Sequence, residues 1–518
     1  MRTARPLGRA LAGAGLVLLL GACAGRGALP PRPAPELLPP ASPLRSTSLA
    51  DADAWLRHHL MEGDFDAALH LLSRSSKAAP RDELHRRLQL GVVLHAAGRY
   101  AESNEALEWA EREAEERYTR SVTRAVGSLV VNDGVLAFVP TPPERAMVPY
   151  YRMLNYLALG DMQEALVEAR RAGALLAGRE PKDGCGGEPF LEYLSGLVFQ
   201  AAGERNDALV SLRRAEAEFG ACAAKEEIAP PPLLGADLVR AARDAGVRAV
   251  ADSAARRYGV PSTTADAGDL VVVVEHGWVA HRAHRDLHVP LFPEEAEALE
   301  GSEGEGFEAA AARVSTRLLE NALQEAAWGH SYDDHPVSQW AAAMEGAHVL
   351  KLSWPAYRRD AVRAAEARVR VDDTVVVAPV VEDVSGSVVR AFDGTRPLVL
   401  TRAVARSFTR YVAARELEKK AEEKGGEVAA FVAGRLANLA GNALERADLR
   451  SWSLLPDRIS VARLSLPPGE HTVRVEVRSP DGGVEVVEVG RVTVPPRGRV
   501  FRSVRVWESG SSGFAARE

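Results

Sequence analysis

Eight side chains of the types that bind or activate a metal ion fall in two runs, His276, His281, His284 and His288, then His330, Asp333, Asp334 and His335. A zinc centre needs three or four such ligands converging on one point, usually from helical i,i+4 or short-loop spacing. If 281–289 is a strand, side chains alternate between its faces, so His284 and His288 share one face while His281 points the other way. No His-Glu-x-x-His stands in the chain. Solvated or locally hydrogen-bonded histidines are therefore expected, and a metal-dependent hydrolase built on the His276–His288 run, with His284 and His288 as ligands, is the subordinate reading. Gly304-Glu305-Gly306 reads as part of an acidic loop with no strand before it, where charge repels phosphate, and no Gly-x-Ser-x-Gly occurs. Asp448, Arg450 and Trp452 stand where helix gives way to strand. They read first as an Asp–Arg pair clamping that junction with the Trp packed behind it, and second as a small ligand site. No catalytic residue and no cofactor is expected.

The three cysteines say more about address than about reactivity. Arg2, Arg5 and Arg9 precede an apolar run from Ala10 to Leu20, and Gly21-Ala22-Cys23 then supplies a small-residue cleavage step. The run is short of the roughly 20 residues that span a bilayer. This pattern resembles bacterial lipoprotein signal peptides over 1–22, which implies that Cys23 becomes an acylated first residue. Ala24, not Asp, follows it, so the resemblance favours the periplasmic face of the outer membrane, with the bilayer as partner through the acyl chains. Seven prolines between Pro30 and Pro43 make 23–47 a linker of extended, semi-rigid character. Removing the three signal arginines takes the formal charge from −7 to −10, a balance that argues against nucleic acid as a partner. In an oxidising envelope, Cys185 and Cys222 are candidates for one disulfide.

Four segments repeat a helix–turn–helix pattern over 48–228. Their turn glycines are Gly63, Gly98, Gly160 and Gly203, and small residues recur five positions later at Ala68, Ser103, Ala165 and Ala208. Together with Gly91, Gly196 and Pro80, this resembles the tetratricopeptide repeat, which implies a solenoid whose first helices line a concave partner groove. The family's groove positions fall on Asp53, Arg57, His85, His95, Tyr150, Leu154, Phe190, Tyr193 and Leu197. That set is mostly apolar and aromatic towards its C-terminal end and has no Lys/Arg/Asn clamp for a carboxylate terminus, so an apolar partner or the chain itself is the expected occupant. A helix over 236–258 is the obvious internal candidate. Apolar runs around Asn132-Asp133-Gly134 read as a hairpin interrupting the array. Cys185 and Cys222 bracket the fourth unit at its open end, where a bridge would contribute roughly 3–4 kcal/mol.

From Pro230-Pro231-Pro232 onward the pattern mixes strands and helices. An α+β domain is expected over 229–456, with a strand at Asp269–Glu275 and a helical hairpin over 402–447 broken at Gly425-Gly426. The apolar stretch from Val428 to Leu444 is interrupted by Arg435, Asn438 and Asn442 and reads as buried helix, not a membrane span. Strict alternation at Thr472–Arg478 predicts a separate antiparallel domain over 457–507, followed by a flexible tail over 508–518. The fold class is thus multidomain: an all-α repeat solenoid, then an α+β domain ending in a small antiparallel sheet or sandwich. The motifs Glu144-Arg145, Tyr150-Tyr151, DLVVVVEHG at 269–277 and DLRSWSLLP at 448–456 resemble a group of bacterial tetratricopeptide-type lipoproteins. The resemblance implies an envelope protein and transfers no catalytic residue. The reading is a membrane-anchored, non-catalytic scaffold that binds envelope proteins, with a glycan- or peptidoglycan-binding module as the alternative.

Overall fold

A computed structural model describes residues 48–74, 80–124, 137–177, 188–226, 228–260, 268–300, 305–328, 348–359, 366–444, 447–478 and 484–507; of 424–444 only the backbone is described. Cys23, Cys185, the proline-rich segment before position 48, residues 128–136 of the expected hairpin, residues 508–518, and His330, Asp333, Asp334 and His335 lie outside those residues.

The chain begins with helix pairs: α1 (Ser48–Met61) and α2 (Phe65–Arg74), α3 (Glu83–Ala96) and α4 (Tyr100–Arg124), α5 (Pro142–Leu159) and α6 (Met162–Ala177), α7 (Pro189–Ala202) and α8 (Arg205–Glu226), α9 (Leu234–Asp244) and α10 (Arg248–Tyr258). Each pair turns at a glycine with φ between +69° and +82°, namely Gly63, Gly98, Gly160, Gly203 and Gly246. That left-handed conformation disfavours a side chain. Gly91 and Gly196 let the second helix of a pair approach closely. A Cβ at either would stand under 3.0 Å from Leu107 or Leu212. The small residue five positions after each turn glycine is buried, including Ala251 in the fifth pair.

The fifth pair corrects one expectation. Residues 236–258 are not one helix lying in the groove. Gly246 breaks them into a further hairpin that extends the array, with α9 packed on α8.

After it come β1 (Gly268–His276), β2 (His281–Leu291), α11 (Pro293–Glu300), α12 (Glu305–Trp328), β3 (His348–Arg358), β4 (Glu366–Val371), β5 (Thr374–Ala378), β6 (Val380–Asp383), α13 (Val384–Asp393), α14 (Arg396–Leu444), β7 (Arg458–Leu466), β8 (Gly469–Arg478), β9 (Val484–Val494) and β10 (Arg499–Val506). They make three sheets: an inner sheet β10-β1-β7-β6, an outer sheet β5-β4-β8-β9, and a ribbon β2-β3. The inner sheet lies between the solenoid and the outer sheet. Val271 and Val273 of β1, Ile459 and Val461 of β7, and Phe501 of β10 face the helices. Leu270, Val272 and Val274 face Val369 and Val371 of β4 and Val473, Val475 and Val477 of β8. Burial on both faces is why β1 is an unbroken apolar run and not an alternating one.

Two further expectations change. Residues 457–507 are not a domain of their own. β7 and β10 flank β1, while β8 pairs with β4, so strands from both sides of position 456 share the inner and the outer sheet. Alternation reported one buried face correctly, but it carries no information about which partner strand lies beside it. Nor is 402–447 a hairpin. Backbone helix runs from Arg396 to Leu444 without a break, because two glycines cost only about 1 kcal/mol each in a helix and, unlike proline, keep the backbone bond.

The ribbon, α11, α12 and the first half of α14 form an arm with its own core of Leu287, Val289, Leu318, Leu352, Trp354 and Leu400, distinct from the other two cores. The arm's root is small. Arg282 lies over Tyr357 and Phe392, and Arg359 bridges Asp383 (2.6 Å) and Asp457 (2.7 Å).

Candidate functional site

The concave face of the solenoid is where chemistry-bearing side chains concentrate, and it is filled by the protein's own chain. Residues 451–455, between α14 and β7, cross it as an irregular strap. Trp452, Leu454 and Leu455 are fully buried, and such side chains each contribute roughly 2–3 kcal/mol on leaving water.

Solenoid side chains read the strap mainly through its backbone. From α3, His85 Nε2 donates to the Ser451 carbonyl (2.7 Å). Gln89, on the same helix, donates to Ser453 Oγ (2.8 Å) and accepts from the Leu454 amide (3.3 Å). Arg57 on α1 donates to the Ser453 carbonyl (3.3 Å). Glu144 on α5 accepts from the Trp452 amide (2.7 Å) while its other oxygen accepts from Thr141 in a capping box that starts the helix. One buried carboxylate thus fixes both a helix N-terminus and the strap. Pro142 and Pro143 begin that helix, where their missing amides cost nothing. Beyond the strap, Arg505 of β10 donates to the carbonyls of Gly277, Leu454 and Leu455 and lies over Trp507, which stacks on Trp278.

The inner sheet supplies the rest of the filling, and its charges are matched in register. Asp269 and Glu275 stand six apart on β1. They pair across the parallel ladder with Arg499 and Arg505, six apart on β10. All four point toward the helices. Glu275 accepts from Tyr150 (3.0 Å); burial, then the neighbouring carboxylate, pushes that phenol well up, so it donates. Asp269 meets Arg463 (2.9 Å), Arg240 (3.0 Å) and Arg499 (3.1 Å). Asp237 of α9 pairs with Arg463 and accepts from Tyr193 (2.7 Å). Burial would raise the Asp269 carboxyl, but the guanidinium groups of Arg463, Arg499 and Arg240 outweigh it and hold the group at about 2.

The groove residues expected for a partner are therefore engaged internally. Arg57, His95, Tyr150, Leu154, Phe190, Tyr193 and Leu197 are all buried. His95 does not face the strap at all: its Nδ1 bonds Asn155 Oδ1 (2.6 Å) between two helix pairs. Among the junction residues, Arg450 forks onto Asp448 (2.8 Å) and reaches Asp82 (2.7 Å) on the solenoid, with Trp452 packed beyond it against Tyr151. The plainer clamp is what those three residues build. Cys222 is fully buried and disulfide-bonded; Cys185, its expected partner, lies outside the described residues.

The histidine run is dispersed. His276 is buried in the inner sheet with Nε2 2.9 Å from Ser460 Oγ. His284 is exposed opposite Pro355. His288 stands opposite Lys351, whose ammonium sits 2.9 Å from Asp286 and would repel a metal ion. Among the described residues no three His, Cys, Asp or Glu side chains converge as a metal site.

His276 gives a pH prediction. Burial, then Arg505 and Arg458, lowers its pKa to about 4. A base held neutral by folding stabilises the native state fully above its unfolded pKa near 6.5 and loses that contribution as pH falls toward 4. Between pH 7.5 and 4.5 the wild type should lose between about 2 and 3 kcal/mol more than His276→Asn. Urea titrations at the two pH values measure the difference, and equal losses would refute it.

Gln89, Glu144, Glu275, Arg505 and the Asp237–Asp269–Arg463–Arg499 group were not singled out as site residues from sequence. The equal six-residue spacing of the acids on one strand and the arginines on another was a readable signal for the last two pairings.

No protein-family model and no curated protein matches the chain. Several solved structures resemble part of it, two of them as follows. BtubC (BKLC) from P. vanneervenii is 14% identical, over 42% of this chain and 85% of that one, with a TM-score of 0.28. MamA protein is 16% identical, over 40% and 94%, with a TM-score of 0.25.

Proposed function

We propose that this protein is a lipid-anchored, non-catalytic scaffold of the bacterial cell envelope, tethered through Cys23 to the periplasmic face of the outer membrane, and that it offers its arm, not its groove, to a protein partner. One observation carries the reading. The concave face is filled by the strap and inner sheet, whereas the arm stands on a separate core and exposes Phe292, Leu323, Leu398 and Leu417. A protein-binding surface requires exposed apolar side chains, and the arm carries these four. No described helix is long and apolar enough to cross a membrane, so the anchor in this reading is the acylated cysteine. Trp278, Trp354, Trp452 and Trp507 are all buried, and none of these four rings is available as a sugar platform.

The test has two parts. Cys23→Ser should shift the protein from the membrane to the soluble fraction of fractionated cells and abolish labelling by a fatty-acid analogue. Crosslinking in native envelopes should capture a protein that Leu323→Glu with Leu417→Glu no longer captures, at an unchanged thermal midpoint. Capture that survives the arm substitutions but is lost on changing the groove would overturn the assignment of the surface.

A further inference from the structure

The way the strap is held has the form of peptide recognition. Four side chains from three different first helices, Arg57, His85, Gln89 and Glu144, address four main-chain groups between the Ser451 carbonyl and the Leu454 amide, while the Ser453 and Leu455 amides bond back to the Ser451 and Trp452 carbonyls. The strap belongs to no helix or sheet, so these side chains substitute for the ladder a strand would have had. Main-chain contacts are blind to sequence; selectivity must come from what the side chains fill. Trp452 packs against Tyr151, Leu454 and Leu455 are fully buried, and Ser451 and Ser453 lie where burial is complete or nearly so. A residue larger than serine at 453 would have no room, and it would displace the Oγ that Gln89 holds at 2.8 Å. The pattern is small, Trp, small, Leu, Leu, folded into a turn that the Leu455 amide closes on the Trp452 carbonyl (3.3 Å), and uncharged across its centre.

We propose that the concave face is a peptide-binding site for a short turn-forming segment of this type, and that the strap is its ligand in cis. The site takes the same segment in trans once the cis copy is removed. In the intact chain the tethered strap is present at an effective concentration no soluble peptide matches, so the site is closed. This inference is independent of the arm and of the anchor, and its test leaves both untouched.

The experiment uses the full chain with residues 449–456 replaced by a glycine–serine linker of equal length, and the synthetic peptide of residues 449–456 as probe. Peptide added to this chain should raise its thermal midpoint by several degrees in a saturable, concentration-dependent way, because a ligand that binds the folded state alone stabilises it. If the replaced chain does not fold unaided, the readout is the yield of soluble protein refolded with and without peptide. The wild type should show no response. A peptide with alanine at positions 452, 454 and 455 should have no effect, and Gln89→Ala in the replaced chain should weaken the genuine peptide about tenfold, as expected for losing hydrogen bonds to buried groups. No rise and no rescue would overturn the proposal, as would an equal effect from the alanine peptide or a comparable response by the wild type.

Discussion

Replacing Asp269 with alanine should destabilise the protein by about 4 kcal/mol, the range seen when one member of a buried ion network is removed. The aspartate is 2% exposed, and it shares Arg463 and Arg499 with the fully buried Asp237. Without it three guanidinium groups face a single carboxylate. The loss comes chiefly from the buried charge left behind, so a compensating change should recover part of it: Asp269→Asn with Arg463→Met should cost less than Asp269→Asn alone. The group also shapes the acid limb of the stability curve. Its folded pKa of about 2 lies below the ordinary 3.8. Its contribution is therefore complete above the unfolded pKa and fades as pH falls through the folded one, about 2 kcal/mol in all. Guanidinium denaturation of the three variants measures these terms. A change under about 1 kcal/mol in Asp269→Ala would mean that the network is solvated and not part of the core.

Trp452→Ala should cost between about 3 and 5 kcal/mol. The ring is fully buried between solenoid and sheet, and the site cannot collapse, because helices on one side and strands on the other are held by their own ladders. Its indole nitrogen has no hydrogen-bond partner among the described residues, so the loss is one of packing. Trp452→Phe should accordingly retain most of the stability. Leu417→Ala on the exposed side of the arm, where the side chain is 56% accessible, should change the stability by less than about 0.5 kcal/mol and serves as the control. Equal effects at 452 and 417 would show that the strap is not packed as described.

What could be read from sequence and what could not divides along the range of the interaction. The helix pairs are local. A turn glycine and a small residue five positions on carry their own geometry, which is why Gly63 to Gly203 located four hairpins, and why Gly246 with Ala251 would have located the fifth had the same offsets been applied there. Capping of α5 by Thr141, Pro142 and Glu144 is equally local. Strand pairing is not. The alternation at 472–478 showed that β8 has one buried face but could not say that β4, about a hundred residues upstream, lies beside it. Val271 and Val272 look alike in sequence, yet one faces helices and the other a second sheet. The groove was expected from the repeat, with the chain itself or an apolar partner as its occupant. The identity of the filler was missed because Ser451–Leu455 has no periodicity to mark it. It is recognisable only by the side chains that reach for its backbone, and those lie some 300 residues or more away along the chain. Gln89 and Glu144 had no signal as binding residues, since a buried polar residue on a helix face looks the same whether its partner is solvent or strap.

The central claim is that residues 451–455 occupy the concave face of the solenoid, bound through their main chain. Hydrogen exchange resolved over 449–457 tests it most directly, because the Trp452 and Leu454 amides are bonded to Glu144 and Gln89 side chains and lie in no ladder of their own. In the native, full-length protein those amides should exchange as slowly as the amides of β1, and Gln89→Ala should accelerate the Leu454 amide while leaving β1 unchanged. Exchange of the strap at the rate of an unstructured peptide would contradict the account.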